Sequence, residues 1–268
     1  MNQVKPQMDA RTRAGSPERF GYSWDEYSEL LDVHRRQFEG WTAALPADAW
    51  RGNSFLDVGC GMGRNSFWAM QSGAAGGLAI DVDERTLAAA RRTLSPHPAV
   101  EVRRQSVYEL PERARFDIAF SIGVVHHLED PDAALAAMTN AVKPGGRVLV
   151  WLYGYENNRW IVWIVSPLRE KVLSKLPLGL LHALSVIPTA MLWTALRLGL
   201  GRIAYYRMLR GFSFRHLRAI VFDQLLPEIA RYYRREEVES LMRRAGLTDI
   251  EIVWVNEMSW SAAGRRPN

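Results

Sequence analysis

The sequence predicts an α/β fold: a doubly wound, mostly parallel seven-stranded sheet with a helical insert after strand five and an N-terminal helical lid. Three observations carry this. The run Phe55-Leu56-Asp57-Val58-Gly59-Cys60-Gly61-Met62-Gly63-Arg64-Asn65 reads as an apolar strand ending beside an acid, a glycine loop, and the start of a helix. An α/β domain offers bare backbone to a nucleotide-like ligand in this way. From residue 53 short apolar runs alternate with helical periods, the order of a parallel sheet covered on both faces. The alternation stops over residues 157–226, which hold no clear strand, and then resumes.

Residues 1–17 are polar, lack the apolar core of a signal peptide, and read as a mobile leader. Within the lid, residues 18–52, a helix over 23–41 carries Trp24, Tyr27, Leu30, Leu31, His34 and Phe38 along one side. The core, residues 53–155, opens with a strand at 54–58 and a helix at 64–71. A strand at 77–80 ends at Asp81, and Asp83 can cap a helix running to 93. Strands follow at 100–104 and 116–122. Pro131 sits near the first position of a helix over 131–142, which a Lys143-Pro144-Gly145-Gly146 turn closes before a fifth strand at 147–152. After the insert, 156–226, the C-terminal part of the core, 227–268, supplies a charged helix at 233–245 and strands at 249–255 and 258–262.

At 268 residues and 48% hydrophobic, the chain can bury one large core. Cys60 is the single cysteine, which excludes a disulfide framework and a cysteine-rich metal site and fits a reducing cytoplasm. His97, His182 and His216 are too scattered to suggest a metal, and none is expected. The net charge of +5 is concentrated: Arg197, Arg202, Arg207, Arg210, Arg215 and Arg218 lie in a stretch, 197–222, without an acid. Such an arm suits an anionic partner. A membrane surface is the favoured one. Nucleic acid is disfavoured because no recognised nucleic-acid module is visible, and a solvated helix face is the plain alternative.

The glycine loop narrows the ligand. A dinucleotide site has Gly-x-Gly-x-x-Gly. Here the glycines run Gly59-x-Gly61-x-Gly63, and Arg64 stands where the third dinucleotide glycine would fall. Asp57 would repel a pyrophosphate and would suit a cation, such as S-adenosylmethionine with its ammonium and sulfonium.

With three further motifs the chain resembles the class I S-adenosylmethionine-dependent methyltransferases, of the small-molecule and lipid type, over about 20–153 and 233–267. Leu56–Gly63 matches the family's first motif, and Asp81 falls eighteen positions after Gly63, where the ribose-binding acid belongs. Residues 116–121 with Val125-His126-His127-Leu128-Glu129-Asp130-Pro131 match the fourth-strand motif, and 142–150 match the turn and fifth strand. The resemblance implies a Rossmann-like methyltransferase fold. It also implies S-adenosylmethionine as methyl donor and S-adenosylhomocysteine as product. Gly59, Cys60 and Gly61 would approach the methionine part, with Asp57 facing its ammonium. Asp81 would accept the ribose hydroxyls, Val82 would pack on the adenine, and Ser106 and Val107 would meet its edge. Ser106 departs from the aspartate common in relatives. Ile122 would lie near the cofactor, and Cys60 reads as a small residue without a reactive role.

For the acceptor side, His127 and His126 follow the fourth strand and Tyr153 ends the fifth, where α/β sheets bind ligands. A histidine there can act as a base or can be structural. Tyr22 and Trp24 could close over the cofactor from the lid. Residues 176–196 carry no formal charge and are about as long as a bilayer span, but Pro177 and Pro188 interrupt them. Three readings stay open: a membrane span, a lid over an apolar acceptor pocket, or a helical hairpin at the membrane interface through 157–222. A homodimer contact is a fourth use of the same surface. The expected activity is methyl transfer to oxygen, carbon or nitrogen of an apolar small molecule or lipid-like acceptor. The rivals are a non-catalytic cofactor-binding protein docked on a membrane or partner, and transfer of another group such as aminopropyl or carboxymethyl.

Overall fold

A computed structural model describes residues 32–268. The expected leader, Tyr22 and Trp24 lie outside the described residues. Helix α1 (Asp32–Trp41) is the described part of the expected lid helix.

The sheet is built from β1 (Ser54–Val58), β2 (Gly76–Asp81), β3 (Val100–Arg104), β4 (Phe116–Ile122), β5 (Val142–Tyr153), β6 (Thr248–Val255) and β7 (Ser259–Arg265). Its order is β3-β2-β1-β4-β5-β7-β6. The first five strands are parallel, and β7 runs antiparallel to both neighbours. The chain winds one way from β1 to β2 and β3 and the other way to β4 and β5. That reversal leaves a crevice beyond the carboxyl ends of β1 and β4.

Alternation along the strands sorts two cores, one per face. On one face Leu56, Val58, Ala119, Val148 and Val150 pack with Leu135 and Met138 of α4 (Pro131–Ala141) and Leu241 of α10 (Arg235–Arg244). On the other, Phe55, Ile118, Phe120 and Leu149 pack with Phe38 of α1, Ala69 of α2 (Arg64–Gln71) and Leu87 of α3 (Glu84–Thr93). Asp83 caps α3 as expected, accepting from the N–H groups of Arg85 and Thr86.

Two strands are longer than the sequence suggests. The expected turn at 143–146 lies inside β5 as an irregularity: Phe116 pairs with Val142 and Ile118 with Arg147, leaving four residues bulged between. Gly145 N–H donates to Arg266 O and Arg266 N–H to Gly146 O, so the bulge is still paired. β7 reaches Arg265 because it pairs with β5 along its whole length, from Tyr153↔Ser259 to Arg147↔Arg265. Its Ser-Trp-Ser-Ala-Ala-Gly run is buried throughout, a central strand of small side chains that hydrophobic patterning understates.

The insert is helical: α5 (Ser166–Lys171), α6 (Leu178–Leu184), α7 (Val186–Arg197), α8 (Ala204–Leu209) and α9 (Phe214–Leu225). Its two ends meet. Tyr233 N–H donates to Tyr153 O at 2.8 Å, and Tyr155 N–H to Tyr233 O at 3.0 Å. α6 and α7 run on almost as one helix. Pro188 has no N–H for Leu184 O, which loosens the ladder at Ser185. There Ser185 Oγ and the Arg218 guanidinium both donate to His182 O. The run Leu178–Arg197 is long and apolar enough to cross a membrane by length and composition.

Candidate active site

One cavity of about 560 Å³ lies in the crevice and extends beneath the insert. Its floor begins at β1. Asp57 is 1% exposed. Its Oδ2 accepts from Ser66 Oγ at 2.7 Å, while Oδ1 is buried without a hydrogen-bond partner. Burial pushes the Asp57 carboxyl up to about 7; the Ser66 bond opposes this and the charge of Asp81 adds to it.

The loop after β1 is held by its backbone. Gly59 and Cys60 N–H groups both donate to Ile80 O at 2.9 Å. Gly59 has φ +73°, and a Cβ there would stand 2.4 Å from Val124 Cγ2. Only glycine fits that position. Asp81, at the end of β2, ties the loop to its own turn. Oδ2 accepts from Gly61 N–H at 3.0 Å, and Oδ1 from Val82 and Asp83 N–H at 2.8 and 3.1 Å. Burial raises its carboxyl above the usual range, against these three bonds.

Of the residues expected on the donor side, Gly59, Gly61, Asp81, Val82, Ser106, Val107 and Ile122 line the cavity, whereas Asp57 is buried behind its wall. Ser106 Oγ accepts from Tyr108 N–H at 3.3 Å and caps the short turn that follows β3. Cys60 lines it too, and burial holds its thiol well above the ordinary value, which keeps it protonated and unreactive. Asn65 was missed by sequence reasoning. It lines the cavity in the first turn of α2, its Oδ1 buried without a hydrogen-bond partner. Its place directly after the glycine loop was the available signal.

At the acceptor end His127 and Tyr153 line the cavity, but His126 does not. His126 packs behind the wall, its ring 3.9 Å from the Tyr153 ring and 4.2 Å from that of His127. Burial, with the neighbouring His127, takes it well below the ordinary value. It is therefore a neutral packing ring, a correction to its expected place at the reacting centre. His127 Nδ1 lies 2.7 Å from Ile229 O. A carbonyl only accepts, so the Nδ1 proton is fixed and the lone pair sits on Nε2. Burial lowers His127 to about 4, so the ring is neutral at pH 7.

Tyr153 Oη accepts from Gln224 Nε2 at 2.8 Å, and Tyr232 Oη donates to Gln224 Oε1 at 3.4 Å. The Tyr153 and Tyr232 rings stack at 5.4 Å. Burial raises the Tyr153 hydroxyl far above the usual phenol value. Gln224, with Asp223 beside it, comes from α9 of the insert. Sequence reasoning assigned the acceptor question to the insert without naming either; Asp223 ends the acid-free stretch and was the legible mark. From α1, His34, Gln37 and Trp41 close the third side. Among the described residues no cluster of His, Cys, Asp or Glu is placed to hold a metal.

A doubly wound sheet with an acid-flanked glycine loop at its switch point and an acid ending β2 defines a domain that binds a nucleoside-bearing cation. Residues 56–150 match the family model of a methyltransferase domain. The chain is 30% identical over 151 residues to the tRNA U34 carboxymethyltransferase of Pseudomonas paraeruginosa, covering 55% of this chain and 46% of that protein. It is 32% identical over 164 residues to the ubiquinone biosynthesis O-methyltransferase of Hahella chejuensis, covering 58% of this chain and 66% of that one. The chain thus spans less than two thirds of the length of either relative. Its fold is that of 1,6-didemethyltoxoflavin-N1-methyltransferase from Burkholderia thailandensis, with TM-score 0.56 and 18% identity over 99% of this chain and 94% of that one. Residues 56–150 are thus a methyltransferase domain, and the fold around them is that of the class I S-adenosylmethionine-dependent methyltransferases.

One expectation is overturned. Nucleic acid was disfavoured as a partner, yet tRNA U34 carboxymethyltransferases from five bacteria are among the relatives. The family match, 56–150, is the donor-binding part of the sheet, and it carries no information that would exclude a nucleic-acid acceptor.

Proposed function

We propose that the protein binds S-adenosylmethionine in the crevice and methylates a small acceptor with a flat, largely apolar ring system. The continuity of one cavity, from Gly59 and Asp81 to the ring wall of Trp151, Tyr153 and Tyr232, supports this reading. The residues fit the cofactor: the orphaned Asp57 Oδ1 would face the ammonium, and Asp81 would receive the ribose hydroxyls. Once bound, the cofactor supplies a methyl group on positive sulfur that needs no further activation. The chain has to align the acceptor and exclude water. Gln224 donates to the Tyr153 oxygen, which directs the Tyr153 hydrogen toward an acceptor atom. His127 Nε2 can take a proton from an acidic acceptor, although a ring with so low a pKa is a weak base.

Asp57 gives a pH signature. Its raised pKa favours the protonated acid in the free protein, so its contribution to stability is present at low pH and is lost as pH rises through about 7. A cation requires the carboxylate. S-adenosylmethionine affinity should rise with pH through about 7 and level off above, with proton release on binding below it. Calorimetry in buffers of different ionisation heat reads this, and Asp57→Asn should abolish the pH dependence. A flat profile in the wild type would remove Asp57 from the ammonium site.

The tRNA-modifying relatives favour a second reading, transfer of methyl or carboxymethyl to a nucleic-acid base. The full chain should be incubated with S-adenosylmethionine, or with its S-carboxymethyl sulfonium analogue as carboxymethyl donor, and either a lipid-soluble cell extract or total transfer RNA. S-adenosylhomocysteine formed with the extract, and a product heavier by one CH₂, supports the first reading. Turnover with RNA alone supports the second. Cofactor binding without turnover on either would leave a non-catalytic binder and overturn both.

A further inference from the structure

Among the described residues, the large apolar side chains that stand exposed all fall between Trp160 and Leu200. Eight of these twelve fall in two stripes. Trp160, Trp163, Ile164 and Leu168 recur at i, i+3, i+4 and i+8 along one helical run. Leu180, Leu184, Ile187 and Met191 recur at i, i+4, i+7 and i+11 along α6 and α7. Both are spacings of a single helix face. The second helix is inside out. Ser185 and Thr189 are wholly buried while Ile187 and Met191 are 57% and 70% exposed. Only 17% of the apolar window in Leu178–Arg197 is buried, so it is no core helix. A water-facing helix shows the opposite polarity.

Charge accompanies the stripes. Exposed Arg159, Lys171, Lys175, Arg197 and Arg202 flank them, and Glu170 is the single acid from 157 to 222. The inner sides of the same helices, with Ile161, Val165 and Leu192, line the cavity, and half-exposed Trp160 stands at its edge.

We propose that this face lies on an anionic lipid bilayer, in the interface plane, with the aliphatic stripes in the acyl boundary and the basic residues at the headgroups. The helix does not span. Its inner side is fixed to α9, with Leu181 packed on Phe222 and Arg218 bonded to His182 O. The aliphatic stripes favour lipid over RNA, since phosphates gain nothing from leucine or methionine. An acceptor dissolved in the bilayer would reach the cavity past Trp160 without crossing water. The docking itself goes beyond the methyl-transfer reading and does not depend on it.

The test is flotation of the full chain with vesicles of phosphatidylcholine alone or with about one third phosphatidylglycerol. Binding is expected to the anionic vesicles, to weaken with salt, and to fall about tenfold in Ile187→Glu/Met191→Glu. Both positions are exposed, so circular dichroism and cofactor affinity should match the wild type. Lack of flotation, equal flotation of the double variant, a dimer that anionic vesicles leave intact, or binding of transfer RNA in place of vesicles would each overturn the proposal.

Discussion

Asp81→Ala is expected to weaken S-adenosylmethionine binding by about 1.5–3 kcal/mol, roughly ten- to a hundred-fold. Two losses combine. The carboxylate that would receive the ribose hydroxyls is gone, and the N–H groups of Gly61, Val82 and Asp83 lose their common acceptor. Asp81→Asn separates them. An amide can still accept from Val82 and Asp83 through its oxygen, but its NH₂ cannot accept from Gly61. Asparagine should therefore hold the turn and still release the loop. Calorimetric titration with the cofactor and with S-adenosylhomocysteine measures both variants. Wild-type affinity in Asp81→Ala would move the cofactor away from β2.

Gly59→Ala is expected to cost about 2–4 kcal/mol of stability, the sum of a left-handed non-glycine residue and a methyl group driven into Val124. Thermal unfolding should fall by roughly 4–16 °C, and cofactor binding should be lost as the loop shifts off Ile80 O. Gly59→Ala/Val124→Ala removes the clash and keeps the strain, so it should recover part of the melting temperature. A single variant that melts like the wild type would show that the loop has room to spare.

The donor half was legible because each of its signals is local. Asp57, the glycines and Asp81 lie within 25 positions, and backbone geometry dictates glycine at 59 whatever surrounds it. β7 was legible only in part, because its burial arises from pairing between β5 and β6 and its small side chains carry little hydrophobic signal. The acceptor wall was the least legible. Tyr153, Gln224 and Tyr232 are spread over 80 positions and meet through insert packing. His126 and His127 are adjacent and chemically alike, yet the turn over Val125–His127 sends one ring to the cavity and the other behind it. No periodicity distinguishes them.

Tyr233 and the end of β5 clasp the insert at its base through two backbone hydrogen bonds. The sheet therefore sees the segment between them as a closed handle, whose length and composition do not alter strand register. Such a handle can be exchanged or rebuilt while the donor pocket stays folded, so recognition of a new acceptor can evolve without retuning the machinery that holds the methyl donor.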